Sequence, residues 1–292
     1  MGKIDLNNLS SVYFIGEIGI NHNADLQIVK KLIDGSFACG WDSVKFQKRN
    51  PEKSTPQDQR DVLRKTPWGE MRYIDYKHKI ELGKEEYDFI DSYCKQKPLS
   101  WSASPWDYDS VDFLLNYDIP YIKIPSALNT NFDLVEYVCK TGIPVIASTG
   151  MSSLEDTDKL VNLLNKNSKN FAILHTNSSY PCSHEDLNLS LIPFMKERYQ
   201  CTIGYSGHEE DVEPSVIAAT LGAEIIERHI TIDRNLWGTD QKNSLELNGM
   251  FTLKKRCEAI NKVMGTPIKK VQDSEIPFMK KLKNTDLRDD RK

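Results

Sequence analysis

The stretch VYFIGEI, Val12–Ile18, is followed by LQIVKKLIDGSFA, Leu26–Ala38, and then by SVKFQ, Ser43–Gln47. A short apolar run, a segment with helical apolar spacing and a second short apolar run make a βα unit whose strands are buried on both faces. The same period recurs along the chain. Further strands are expected at Ser100–Ser104, Tyr121–Pro125, Pro144–Thr149, Phe171–Thr176, Thr202–Ser206 and Glu224–His229. Amphipathic stretches such as Ser110–Tyr117, Asp133–Lys140, Leu154–Leu164, Leu187–Tyr199, Pro214–Leu221 and Leu253–Val263 lie between them. Eight such alternations fit one closed (β/α)8 TIM barrel, an α/β fold, better than a doubly wound sheet, because about 250 residues is typical of that barrel.

The pattern predicts one catalytic barrel over residues 1–265 and a short C-terminal arm over 266–292, where charges dominate and the rhythm stops. The connection Lys48–Leu82 is long, polar and carries Pro51, Pro56 and Pro67, and is expected to loop over the C-terminal end of the second strand. A formal charge of -4 argues against nonspecific attraction to nucleic acid or an anionic membrane, so a small-molecule partner is the default. The six cysteines form no CxxC pair, which indicates neither a disulfide framework nor a thiolate zinc site. No secretory leader pattern or long apolar run occurs, and a cytoplasmic location is the expectation.

Active sites of such barrels are built at the C-terminal ends of the strands. Those ends carry Glu17 with Asn21 and His22, Lys45 with Gln47, Ser104, and Lys123 with Ser126. They continue with Ser148 and Thr149, His175 with Ser178 and Tyr180, Ser206 with His208, and Glu227 with His229. Lys45 and Lys123 either neutralise Glu17 and Glu227 in a structural network or, with Ser126 and Ser148, hold an anion. The convergence of so many polar groups favours the anion. His208 and His229 end neighbouring strands and are flanked by Glu227 and Asp240. Two imidazoles without a thiolate suit a divalent ion such as manganese better than structural zinc. Asn21, His22 and Tyr180 read equally well as hydrogen-bonding caps.

Taken together the motifs are recognisable: EIGINHNAD (17–25), VKFQ (44–47), SPWD (104–107), KIPS (123–126), STGM (148–151), SSYP (178–181), GYSGH (204–208), ERH (227–229) and GTDQKNSLE (238–246). In this order they resemble the catalytic barrel of the sialic acid synthase (N-acetylneuraminate synthase) family. The resemblance implies a transferase of sialic acid and related carbohydrate biosynthesis, which condenses phosphoenolpyruvate with an N-acetylhexosamine-type aldehyde. The products would be a nonulosonic acid and phosphate. It further implies that Lys45, Lys123, Ser126, Ser148 and Ser178 bind phosphoenolpyruvate. Glu17, Gln47, Ser104, Tyr180 and Asp240 fall on sugar-side and acid-base positions, Glu227 stands beside them, and His208 and His229 match manganese ligands.

The chain departs from the family pattern at Leu128, where an acidic residue is usual, at Gly207 before the metal-ligand histidine, and at Gln241, where a histidine is common. Most bacterial members carry a C-terminal antifreeze-like domain; the resemblance here covers the barrel, with Val271–Leu282 similar to the linker alone. A homodimer through barrel faces and a separate capping protein are therefore expected partners. Two alternatives stay open at this point: a Schiff-base aldolase using Lys45 or Lys123, and a degenerate barrel that binds a sugar or anion without turnover.

Overall fold

A computed structural model describes residues 2–283 and shows eight parallel strands: β1 Tyr13–Gly19, β2 Ser43–Lys48, β3 Ser100–Pro105, β4 Ile122–Ile124, β5 Val145–Ser148, β6 Phe171–Thr176, β7 Thr202–Gly207 and β8 Ile225–His229. The hydrogen-bonded order is β3-β2-β1-β8-β7-β6-β5-β4, and the two ends of this sheet meet, with Ser102 Oγ donating to the Tyr121 carbonyl across the seam. This is the expected TIM barrel. Each strand lies close to its expected span, because residues buried on both faces leave an uninterrupted apolar signature.

Strand alternation then sets the layers inside the barrel. Ile15, Tyr121, Ile146 and Ile225 belong to a buried apolar cluster, together with Leu174 and Leu6. Two residues further along the same strands come Glu17, Lys123, Ser148 and Glu227, all buried. A period of two puts each pair on one face of its strand, so an apolar floor carries a polar ceiling. Leu6, fully buried, belongs to an N-terminal segment pinned by its own amide donating to Asn170 Oδ1 at 2.8 Å and by Thr202 Oγ1 donating to its carbonyl. A second, larger apolar layer, including Val29, Ile90, Val135 and Leu160 from the helices, surrounds the strands.

Two expectations need correction. The connection after β2 is not a plain loop: it folds into a short helix Pro51–Ser54, an antiparallel hairpin Leu63–Thr66/Gly69–Arg72 and a helix Tyr73–Ile80, whose Ile74, Tyr76, Lys77 and Ile80 are buried. The region after Gly265 is not wholly irregular either, since a helix spans Ile276–Leu282. Residues 284–292 of the expected arm lie outside the described residues. The chain divides into two compact units between Ile260 and Asn261, inside the helix Leu247–Met264. No helix among the described residues is long and apolar enough to cross a membrane.

Candidate active site

At the C-terminal mouth of the strands, the polar ceiling encloses a cavity of about 220 Å³. Its walls include Glu17, Lys45 and Gln47, Ser104, Lys123 and Ser126, Ser148, Ser178 and Tyr180, His208, and Glu227 with His229. Asp240 lines an adjoining cavity of about 390 Å³, which shares Gln47, Trp106, Tyr180 and His229 with the first. These residues are thus gathered at one end of the barrel.

Charges in the inner cavity are paired. Lys45 Nζ lies 2.6 Å from Glu17 Oε2 and 3.8 Å from Glu227 Oε1, and donates to Ser104 Oγ at 3.1 Å. Lys123 Nζ lies 3.8 Å from Glu227 Oε1 and donates to Ser148 Oγ at 2.6 Å. Ser206 Oγ donates to Glu227 Oε1 at 3.0 Å, and Gln47 Nε2 to Glu17 Oε1 at 3.2 Å. Burial opposes each charge, with different outcomes. Around Lys45 the two carboxylates outweigh burial and hold the ammonium above its usual range. Lys123 is pulled down to about 8 by burial, which the Glu227 charge offsets only in part. Burial likewise disfavours the Glu227 charge, yet Lys123 and Lys45 hold its carboxyl below the usual range. Such a set can exchange one carboxylate contact for a bound anion without leaving a lysine stranded.

The β4 and β6 ends add hydroxyls. Ser126 Oγ accepts from the Gly150 amide at 3.1 Å, and Ser178 Oγ is buried without a hydrogen-bond partner. A side chain at Gly150 would collide with both hydroxyls, so glycine is what lets them converge. Asn129 ties the β4 and β5 loops together, its Nδ2 reaching the carbonyls of Ser148 at 3.0 Å and Gly150 at 3.1 Å. Leu128 packs against the apolar core, so the acidic position of the resemblance is a packing position in this chain.

The imidazoles face each other on the opposite wall. The His208 and His229 rings are 5.5 Å apart, and Tyr180 lies 4.1 Å from the His208 ring. His208 Nδ1 is 2.6 Å from the Asn177 carbonyl, which as acceptor leaves Nε2 free of a proton. Burial, reinforced by the neighbouring His229, lowers the His208 pKa to about 3, so the ring is neutral. His229 Nδ1 is buried without a hydrogen-bond partner, 3.9 Å from Asp240 Oδ2, and Glu227 Oε2 is likewise unpartnered. Two such imidazoles fit a divalent ion as ligands. Among the described residues no group of three or more His, Cys, Asp or Glu side chains is arranged to hold an ion alone, so water or substrate would complete its shell.

Not every strand-end group reaches the cavity. Asn21 donates to the Ile230 carbonyl at 3.0 Å and Ser244 Oγ at 2.8 Å, and His22 Nδ1 accepts from the Ala24 amide at 2.9 Å. Both brace turns. His175 Nε2 contacts the Leu187 carbonyl at 2.7 Å. Gln241 is also a brace, reaching the Asn21 carbonyl at 3.3 Å. Sequence reading missed a pair adjacent in the chain to the histidines: Arg228 and Glu209, fully buried and 2.9 Å apart. Tyr205 OH and Ser215 Oγ donate to the same carboxylate at 2.8 and 3.0 Å. A side chain at Gly207 would strike that carboxylate and the Tyr205 ring, which explains the glycine before His208. Arg49 and Lys77, in the outer cavity, were also missed.

A barrel with paired buried lysines, converging hydroxyls and two facing imidazoles at its mouth has the features of an anion-handling enzyme. The comparisons narrow it. Residues 32–269 match the model of the NeuB family. The chain is 32% identical over 273 residues to N-acetylneuraminate-9-phosphate synthase of Mus musculus, covering 92% of this chain and 76% of that protein. It is 32% identical to N,N'-diacetyllegionaminic acid synthase of Campylobacter jejuni, covering 91% and 81%. Its fold superposes on the N-acetylneuraminic acid (sialic acid) synthetase of Leptospira borgpetersenii with a TM-score of 0.84 at 30% identity, covering 97% and 96% of the two chains. The chain belongs to the NeuB family. It is therefore an enzyme of the phosphoenolpyruvate-dependent condensing type, a transferase, in a divalent-metal-using class.

Proposed function

We propose that this enzyme condenses phosphoenolpyruvate with an open-chain N-acetylhexosamine aldehyde to give a sialic-type nonulosonic acid and phosphate. The observation that carries the reading is the inner cavity, where Lys45 and Lys123 converge on Glu227 beside the unpartnered Ser178 hydroxyl. In this reading Lys45, Lys123, Ser126, Ser148 and Ser178 hold the two anionic ends of phosphoenolpyruvate, while Ser104 and Gln47 border its C3 side. Related chains bear different product names, N-acetylneuraminate 9-phosphate and N,N'-diacetyllegionaminic acid among them, so the sugar is the specific part of the proposal.

C3 of the enol phosphate attacks the aldehyde carbon, forming the new carbon–carbon bond and leaving positive charge at C2. Water adds at C2, Glu17 takes its proton and passes it to the oxygen of the former aldehyde, and the tetrahedral species expels phosphate as its C2 hydroxyl becomes the ketone, that proton leaving with the phosphate. Glu227 stays ionised to balance the lysines. His208 and His229 would hold the metal, with manganese(II) the proposed ion and Asp240 nearby. Bound there, it supplies Lewis-acid stabilisation of oxyanion charge developing on the aldehyde. Tyr180 packs against His208 and closes the sugar side.

Phosphate release from phosphoenolpyruvate with manganese and a panel of N-acetylhexosamines tests the reading. Release should depend on the sugar and vanish in Lys45→Ala and His208→Ala. Borohydride trapping of an imine with a keto acid would instead identify an aldolase, and binding without release a degenerate barrel. A homodimer and a separate cap belong to the same proposal; sedimentation across a concentration series reads the first.

A further inference from the structure

The turn after β5 is held in place by the turn after β4, mostly through one side-chain amide. Asn129, only 2% exposed, ends the 3-10 turn Ser126–Leu128. Its Nδ2 donates to the carbonyls of Ser148 at 3.0 Å and Gly150 at 3.1 Å and to Ser152 Oγ at 2.6 Å. An amide nitrogen has two hydrogens, so one of them is shared between acceptors. The preceding Leu128 packs against the apolar core, which fixes the backbone that carries the amide. Among the described residues, Asn129 and Ser126 supply the hydrogen bonds that reach 150–152 from outside their own turn.

That turn needs holding. Met151 sits at a φ of 58°, in the left-handed region where a side chain is disfavoured. Its side chain is 71% exposed, so packing does little to compensate. The acceptors of the Asn129 amide flank it in the chain, Ser148 and Gly150 before it and Ser152 after it, and their hydrogen bonds offset the strain. The site depends on what this turn carries. Ser148 Oγ accepts from Lys123 at 2.6 Å, and the Gly150 amide donates to Ser126 Oγ at 3.1 Å. Two of the hydroxyls assigned above to phosphoenolpyruvate are therefore aimed by the β4 and β5 turns together.

We infer that Asn129 is a positioning residue for phosphoenolpyruvate. It lines neither mouth cavity, and it acts by locking the β5 turn against the β4 turn so that Ser126 and Ser148 keep their spacing. This rests on the condensing reaction proposed above and adds the residue that pre-forms its anion site. A cradle of hydroxyls binds most tightly when it is ordered before the ligand arrives, because ordering a strained turn during binding is subtracted from the affinity. Removing the amide donors leaves that cost to the ligand.

Calorimetry of phosphoenolpyruvate binding to the full-length protein with manganese and without aldehyde tests this, alongside steady-state kinetics. Asn129→Ala should weaken binding by roughly 10- to 50-fold and raise the phosphoenolpyruvate KM to match, with kcat and the aldehyde KM within about threefold of wild type. Asn129→Asp keeps the side-chain shape, sets a carboxylate against the same two carbonyl oxygens and should weaken binding at least as much. A double-mutant cycle with Ser126→Ala separates positioning from a general loss of stability. If Asn129 acts through the hydroxyl cradle, the double variant loses clearly less than the product of the two single losses. Losses that multiply, a fall confined to kcat, or unchanged binding each overturn the inference and leave the synthase reading intact. Should Asn129→Ala not fold, the same measurements on Asn129→Asp and on Ser152→Ala, which removes one acceptor of the clamp, decide in the same way. A wild type that binds no phosphoenolpyruvate overturns the synthase reading and this inference with it.

Discussion

The inner and outer cavities share a wall yet handle charge in opposite ways. In the inner one, Lys45 and Lys123 stand on strands and are balanced by Glu17 and Glu227. In the outer one, Arg49 and Lys77 stand on the connection after β2 and form no close ion pair among the described residues, with the Asp240 carboxylate on the same wall. The difference teaches how the two substrates can be separated. A balanced set gives up one internal contact for each ligand contact, which suits a substrate common to a whole reaction class. A loosely paired set gains most from one particular partner, which suits selection among sugars.

Substitutions should therefore act differently in the two regions. Lys45→Met or Lys123→Met should lower kcat/KM on the order of 1,000-fold for every aldehyde, because the bound anions lose their partner and Glu17 or Glu227 is left unpaired. A fall restricted to one kind of sugar would break the comparison. Lys77→Met, in the outer cavity, should act less, by about tenfold at most and mainly on the KM of the aldehyde.

A third prediction concerns the buried Arg228–Glu209 pair, next in the chain to the two histidines. Arg228→Met leaves Glu209 buried without its cation and should destabilise the fold by about 3–5 kcal/mol, read by denaturant unfolding. An unchanged transition midpoint would remove this pair from the account. The fourth is a pH effect. Lys123 is held at about 8, so its charge is present below that pH and lost above it. The KM for phosphoenolpyruvate should rise several-fold between roughly pH 7 and 9, and Lys123→Arg should flatten the profile. The smallest effect is expected for Gly150→Ala, which pushes the Ser126 and Ser178 hydroxyls apart and should weaken phosphoenolpyruvate binding by about tenfold at most.

The contrast also marks what the sequence could reveal. Strand ends were legible: once β1 to β8 were placed, the rule that barrels work at their C-terminal mouths picked out Glu17, Lys45, Lys123, His208, Glu227 and His229. All of them line one cavity. The connection after β2 was not legible. Its hairpin is exposed on nearly every residue, so no buried face leaves a period of two, and the helix Tyr73–Ile80 mixes Lys77 into its buried stripe. A lysine there reads as solvated. Arg228 was hidden by strand alternation, since its neighbours 227 and 229 face the cavity and it faces the other way, toward Glu209. Asn21 and His22, which read equally well as caps, are polar groups near a strand end that brace turns.

The central claim is that this mouth joins phosphoenolpyruvate to an aldehyde through C2, with phosphate leaving by carbon–oxygen cleavage. Phosphoenolpyruvate labelled with oxygen-18 at the bridging position tests it most directly. The account predicts that, with manganese and an N-acetylhexosamine, the label leaves in the phosphate, and that release stops when the aldehyde is omitted. Unlabelled phosphate, or release at the same rate without any aldehyde, would contradict it.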